Sequence, residues 1–178
     1  MNALPEPLPG RLLVLLAPHA ASQAMLAFAT HLARRGPLRI LDGGNRFNAY
    51  TVARALRRAG AGDLTQALGR IQVARAFTCY QMATLLEHTP SGTLSTLVID
   101  LLDTFYDQNV PRAERRRLLD ECVAHLHRLS QRAAVVASLR PPRPPQVDPT
   151  GLQEIVQAAA DQVWFQEEIL YSPQPRLL

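Results

Sequence analysis

The feature that most constrains the fold is a regular alternation of short apolar runs with longer segments of helical spacing. Strands that alternate with helices favour parallel pairing through crossover helices. The sequence therefore predicts a single three-layer α/β domain, a mainly parallel sheet with helices on both faces. The predicted strands are 12–16, 38–42, 70–77, 94–102, 133–139 and 161–168. The predicted helices are 20–35, 47–59, 79–88, 112–131 and 152–159.

Proline marks the limits of this domain. Residues 1–10 are predicted as a flexible proline-rich arm, 11–171 as the core domain and 172–178 as a flexible tail. Within the core, the segment RPPRPPQVDPTG at 140–151 cannot form a helix or a central strand. It is either a connector or a polyproline ligand for a partner protein, and the sequence leaves both interpretations open.

Composition excludes several classes of protein. The longest apolar run near the N-terminus, LLVLLA, is too short to cross a bilayer and carries no cleavage signal. We therefore expect a cytoplasmic protein with no membrane partner. Cys79 and Cys122 form no C-x-x-C pair, which favours two buried hydrophobic side chains. All nineteen basic residues are arginine and the net charge is +4, which permits nucleic-acid binding without demonstrating it.

Four stretches, in order, resemble the ATPase core of the RecA/RadA recombinase family, over roughly residues 12–170. The first, LLVLLAPHAASQAMLAFATHL, matches by position, as a strand, loop and helix. The others are LRILDGGNRFNAYTVARAL, VARAFTCYQMATLLE and the long stretch from TLVIDLLDTFYDQNVPRAERRRLL to AAVVASL. The last of these resembles the Walker B strand, the first DNA loop, the long helix and the strand after it. The resemblance implies a RecA-like, P-loop NTPase fold.

The chain departs from this family where the family holds its nucleotide. A Walker A loop reads G-x-x-x-x-G-K-[ST], because glycine N–H groups, a lysine and a hydroxyl hold phosphate and Mg²⁺. The position of the family's water-orienting glutamate is Gly44, whereas Asp100 matches the Walker B aspartate. The resemblance therefore implies a vestigial nucleotide site, a pseudoenzyme with no catalytic residue, and no ATP or Mg²⁺ cofactor. The four signature positions of the degenerate Walker A loop are Ala17, Ser22, Gln23 and Ala24.

Arginines occupy the positions that correspond to the family's DNA-binding loops. Arg112, Arg115 and Arg116 begin the long helix after the first loop, and Arg140 and Arg143 lie in the second. Like charges at a helix N-terminus oppose the macrodipole, which favours a functional role for the first group. The alternative is a solvated helix face with a proline-rich connector.

We therefore expect a non-catalytic RecA-like accessory protein in DNA recombination or repair. Its expected partners are single-stranded DNA, another RecA-like or repair subunit, or both. Two alternatives stay open: a protein-interaction scaffold without DNA contact, and an ATP-binding protein with an atypical phosphate loop.

Three smaller features admit two interpretations each. Asp100 and Asp103 are metal ligands or, as we favour, aspartates that cap local backbone. The turn Gly43-Gly44-Asn45 approaches a ligand closely or is a tight turn in which Asn45 caps the next helix. Cys122 and His125 share a helix face, but a metal would need two further ligands, so no metal site is predicted.

Overall fold

The computed structural model describes residues 5–17, 21–60, 62–140 and 151–165, and within them the predicted α/β fold is confirmed. Six strands form one sheet in the order β3-β2-β4-β5-β1-β6, and every pair is parallel. The strands are Leu12–Leu16 (β1), Leu38–Asp42 (β2), Ile71–Arg75 (β3), Ser95–Ile99 (β4), Val135–Leu139 (β5) and Gln162–Phe165 (β6).

Helices cover both faces of this sheet. The α-helices are Ala21–Arg35 (α1), Ala49–Arg58 (α2), Leu64–Gly69 (α3), Cys79–His88 (α4), Arg112–Ser130 (α5) and Leu152–Ala159 (α6), and a 3-10 helix spans Leu101–Phe105. The core is divided in two by the sheet, because successive side chains of a strand point to opposite faces. Leu12 and Val14 of β1 join α4, α5 and α6, whereas Leu13 and Leu15 join α1, α2 and α3.

Parallel pairing brings the carboxyl ends of all six strands to one edge of the sheet. β4 lies between β2 and β5, so the turns that follow these three strands are neighbours. This edge holds most of the candidate site residues. The two edge strands of the sheet are β3 and β6.

Several predicted boundaries are corrected. The strand predicted over 94–102 ends at Ile99, because the next residue turns the chain with a φ of 51° and the buried 3-10 helix follows. Within 70–77, which is predicted as a strand and its exit, the strand spans Ile71–Arg75. The helix α3 was missed because it is short; the Asp63 carboxylate caps it by accepting the Gln66 N–H.

The start of α2 is also corrected. Asn45 is not the helix cap: it has a φ of 51° and lies within the turn. The N-cap is Asn48, whose side-chain oxygen accepts the N–H of Thr51 at 3.1 Å. Two asparagines within four positions satisfy the same sequence rule, so only the backbone conformation separates them.

The predicted arm and tail are only partly within the described residues. Pro7 is buried, Glu6 pairs with Arg35 at 2.8 Å, and the Gly10 N–H donates to the Ser130 carbonyl. Residues 5–10 therefore contact the domain. The tail at 172–178, the predicted strand end at 166–168 and most of the segment 140–151 lie outside the described residues.

Candidate functional site

The turn after β2 is held by a buried aspartate that sequence reasoning did not single out. Asp42 is fully buried and accepts the N–H groups of Arg46 and Phe47 at 3.0 and 2.9 Å. Its third partner is Arg75 of β3, whose Nε lies 3.4 Å from Oδ2. The sequence signal is an aspartate between a buried strand and Gly43-Gly44, which is typical of a side chain that caps its own turn.

The two glycines of this turn let β2 approach the end of β4. A Cβ on Gly44 would lie 2.7 Å from both Cβ and Oδ2 of Asp100, and one on Gly43 would lie 2.9 Å from the Asp100 carbonyl. The Gly43 N–H donates to the Ile99 carbonyl at 2.8 Å. Close backbone packing within the protein therefore explains the glycine pair.

Asp100 is buried at the centre of this edge, in a left-handed conformation with φ 51° and ψ 54°. Aspartate tolerates this conformation better than most residues. Its N–H donates to Ser138 Oγ of β5 at 2.8 Å, and that hydroxyl lies 3.2 Å from Asp100 Oδ1. Burial raises the pKa of the Asp100 carboxyl, and the neighbouring Arg140 guanidinium opposes the rise.

Arg140 neutralises this aspartate from within the chain. Its Nε lies 2.7 Å from Asp100 Oδ2, and its Nη2 donates to Asp103 Oδ1 at 2.8 Å. The Nε contact is a close ion pair whose angles do not fit a hydrogen bond, since neither atom has a hydrogen-bond partner. The Tyr106 hydroxyl fixes the same residue by donating to the Arg140 carbonyl at 3.1 Å. We call Asp100, Asp103, Ser138 and Arg140 the buried ion cluster.

The positions of the degenerate Walker A loop are only partly described. Ala17 is buried and its N–H lies 3.4 Å from the Leu139 carbonyl. Ala24 is buried and Gln23 is exposed in the first turn of α1. Ser22 lies in the same turn. Ala17 therefore lies beside the end of β5, and the other three positions lie in the first turn of α1.

The predicted nucleic-acid arginines are not brought together as one exposed surface. Arg140 belongs to the buried ion cluster, with a side chain that is 9% exposed. Arg115 is buried and donates to the Phe105 carbonyl at 3.2 Å. Arg116 pairs with Asp120 at 3.1 Å on the exposed side of α5. Arg112 is exposed at the helix start, and Arg143 lies outside the described residues.

Ion pairs also hold Arg117, which belongs to the same run of arginines in the sequence. It contacts Glu114 and Glu121, one turn away on either side. The Glu114 carboxylate raises the pKa of Arg117, while Arg117 lowers that of Glu114. Two arginines of the run, Arg116 and Arg117, are therefore matched by acids on the same helix.

The edge strand β3 carries an apolar groove. The groove lies between β3 and the end of α4 and has a volume of about 190 Å³. Val73 on its wall is 41% exposed, and Arg39 on its rim donates to the Pro90 carbonyl at 3.4 Å. Its lining also includes Leu41, Ala74, Leu85 and His88.

No metal centre is found in the described parts of the chain: no group of three or more His, Cys, Asp or Glu side chains is placed to hold an ion. Cys122 and Cys79 are both buried, as predicted. His125 faces Arg128, whose Nε lies 3.4 Å from His125 Nδ1. Among the helices of the described residues, none has the length and apolar character needed to cross a membrane.

Comparison with known proteins adds no assignment. A scan against models of protein families found no match to the chain. A search among curated proteins found no match either. The functional argument therefore depends on the residues and their geometry.

Proposed function

We propose that this chain is a non-catalytic RecA-like accessory protein in DNA recombination or repair, which acts by binding a partner subunit at the open edge of its sheet. The setting in recombination or repair comes from the resemblance to the RecA/RadA family. The observation that carries the binding role is the edge strand β3, whose outer side no strand of the described residues pairs with, beside an apolar groove.

The buried ion cluster supports the non-catalytic part of the proposal. In the resemblance, Asp100 takes the place of the aspartate that serves the metal. Here Arg140 supplies a positive charge 2.7 Å from that carboxylate. A divalent cation at the same oxygen would meet the guanidinium as a like charge, so the pair opposes metal binding.

The edge of β3 supports binding of an extended segment. An edge strand presents unpaired N–H and C=O groups, to which a partner strand can add by main-chain hydrogen bonds. Within the described residues, no strand pairs with the outer side of β3. Proteins often protect such edges with charged side chains or proline; β3, with the sequence IQVAR, contains no proline and one charged side chain, Arg75 at its end.

The groove defines the chemistry of that segment. Its volume of about 190 Å³ exceeds that of an engineered apolar cavity, about 150 Å³, that accepts benzene. It therefore accommodates one aromatic or large aliphatic side chain. None of its lining residues is acidic, while Arg39 and His88 are basic. We infer a partner segment with one apolar anchor flanked by acidic residues.

This role is tested by selecting short random peptides on the immobilised full chain and measuring their affinity by fluorescence anisotropy. The enriched peptides should carry an apolar anchor with acidic neighbours. Val73→Arg should weaken their binding by about thirtyfold, as expected for the disruption of a hot spot. The matched control is Phe165→Arg on the opposite edge strand, where the side chain is 56% exposed.

The control should bind the selected peptides as well as the unmodified chain does. Failure to enrich any peptide would contradict the docking role. So would peptides that bind Val73→Arg unchanged, because the groove would then not be their site. Peptides whose affinity falls equally in both variants would indicate a general charge effect and would also contradict it.

A further inference from the structure

A second surface lies on α2, on residues to which the sequence analysis assigned no role. Tyr50, Arg54, Arg57 and Arg58 are all exposed, and their spacing of four, three and one residues places them on one side of the helix. The opposite side packs into the core through Val52 and Leu56. We call the four exposed residues the α2 stripe.

Arg116 and Arg117 of α5 pair with acids, whereas the arginines of the α2 stripe form no ion pair with an acid of the described residues. Among the described residues, Arg57 and Arg58 have no ion-pair or hydrogen-bond partner for their side chains. Arg54 lies over the Tyr50 ring, with its guanidinium carbon 5.8 Å from the ring centroid. Within the described part of the chain, no acidic side chain pairs with this guanidinium.

The net positive charge of the chain lies in the sequence around the stripe. Residues 43–60 contain four arginines and no acidic residue, whereas the chain as a whole has a net charge of +4. The remainder of the chain therefore has as many acidic as basic side chains. The last turn of a helix favours cations, which accounts for Arg57 and Arg58 but not for Arg54 and the exposed ring.

We propose that the α2 stripe binds single-stranded nucleic acid, with the arginines on successive phosphates and Tyr50 stacked against a base. Such sites combine unpaired cations that follow the backbone with an aromatic ring that accepts any base. Tyr50 is 70% exposed, which a tyrosine packed for stability would not be. The stripe extends over about 12 Å of helix, from the rise of 1.5 Å per residue.

Other anionic partners fit this surface less well. A membrane-bound helix needs an apolar face to insert, but the large apolar residues of α2, Val52 and Leu56, are buried in the protein core. An acidic peptide would use the charges but not the exposed ring. The proposal does not rest on partner binding at β3, because the α2 stripe and the groove share no residue.

The test is fluorescence anisotropy of a labelled oligothymidine with the full chain, across a salt series. Replacing Arg54, Arg57 and Arg58 together by glutamine should weaken binding at least tenfold at low salt. The slope of log K against log salt should fall in magnitude by about two, because each phosphate that is no longer neutralised removes about 0.7. Tyr50→Ala should weaken binding about tenfold without changing that slope. Tyr50→Phe keeps the aromatic ring and should therefore bind as tightly as the unmodified chain.

The matched control removes the same charge from α5, by Arg112→Gln, Arg116→Gln and Arg117→Gln. It should keep the salt slope and stay within about threefold of the unmodified affinity. Equal effects of the two triple variants would overturn the proposal, because net charge would then explain both. It is also overturned if the unmodified chain binds no oligothymidine, or if it binds only phosphatidylserine vesicles or polyglutamate.

Discussion

At the scale of single residues, one arginine neutralises two carboxylates at the carboxyl edge of the sheet. Arg140 was predicted to reach DNA from a loop, but its guanidinium is held between Asp100 and Asp103. A buried carboxylate that loses its partner keeps the cost of desolvation without the attraction that offsets it. The stability of the carboxyl edge therefore depends on this pair.

Replacing this arginine tests that dependence. Arg140→Met should lower the free energy of unfolding by about 3–5 kcal/mol, measured by urea denaturation, because it leaves Asp100 buried and unpaired. The control Arg116→Met removes an exposed pair and should cost about 1 kcal/mol or less. Equal effects of the two changes would show that the buried pair stabilises the fold no more than the exposed one.

The destabilisation in Arg140→Met should also depend on pH. Burial raises the pKa of Asp100 in the folded chain, and removing the opposing guanidinium raises it further. The folded variant then takes up a proton at a higher pH than the unfolded chain does. Its stability relative to the unmodified chain therefore recovers as the pH falls from neutral to acidic. A difference that stays constant with pH would contradict this assignment.

Gly44 makes the second prediction at this scale. Gly44→Ala places a Cβ 2.7 Å from Asp100 Cβ, so the backbone must shift. We expect the free energy of unfolding in urea denaturation to fall by about 1–3 kcal/mol, the usual cost of overpacking. Gly36→Ala is the control, because its Cβ meets nothing within 4 Å. If Gly44→Ala left the free energy of unfolding unchanged, the turn would have room for a side chain that faces a ligand.

Sequence reasoning located the residues of this edge better than it assigned their roles. Asp100 and Gly44 were found through the resemblance, and Gly43-Gly44 through turn chemistry. The role of Arg140 was missed because its partners, Asp103 and Asp100, are distant from it in the chain. Only the pairing of β4 with β5 brings them together, and no local pattern carries that information.

At the scale of elements, hydrophobic periodicity predicted the longer helices, and capping residues and glycines indicated where they begin. The helices Cys79–His88 and Leu152–Ala159 agree with the predicted limits, and each has a capping residue or a glycine at its start. The short helix α3 and the 3-10 helix after β4 were missed, because one or two turns leave too little periodicity to detect. Arginine-rich α5 was found, but its ion pairs were not considered.

The cap of α4 supplies a prediction, because α4 forms one wall of the β3 groove. Thr78 Oγ1 accepts the Gln81 N–H at 3.2 Å at the start of this helix. Thr78→Ala should lower the free energy of unfolding by about 1 kcal/mol in urea denaturation. Thr78→Ser keeps the hydroxyl and should be destabilised far less. Equal effects would assign the change to packing of the methyl group instead.

At the scale of the whole molecule, the class of fold was predictable but the order of strands was not. Alternating strands and helices predict a parallel sheet, yet many strand orders share that alternation. The observed order makes β3 an edge strand, and this creates the groove. The sheet also separates α5 from α2, because the two helices pack on opposite faces.

The two cysteines report on the integrity of the core between the sheet and the helices α4, α5 and α6. Burial raises the pKa of Cys122 to about 12 and also raises that of Cys79. Both thiols should therefore resist a thiol-reactive dye in the folded chain at mildly alkaline pH, and both should react at once in denaturant. Rapid labelling of the native chain would contradict the packing of α4 against α5.

The central claim is that this fold binds a partner strand at β3 in place of hydrolysing nucleotide at its carboxyl edge. Hydrogen–deuterium exchange of the full chain tests it most directly, with a selected peptide or Mg²⁺ and ATP added in parallel. We expect the peptide to slow exchange of the amides of Ile71–Arg75, and the nucleotide to leave Gly43-Gly44 and the end of β4 unchanged. Protection of the carboxyl edge by nucleotide, without protection of β3 by peptide, would contradict the account.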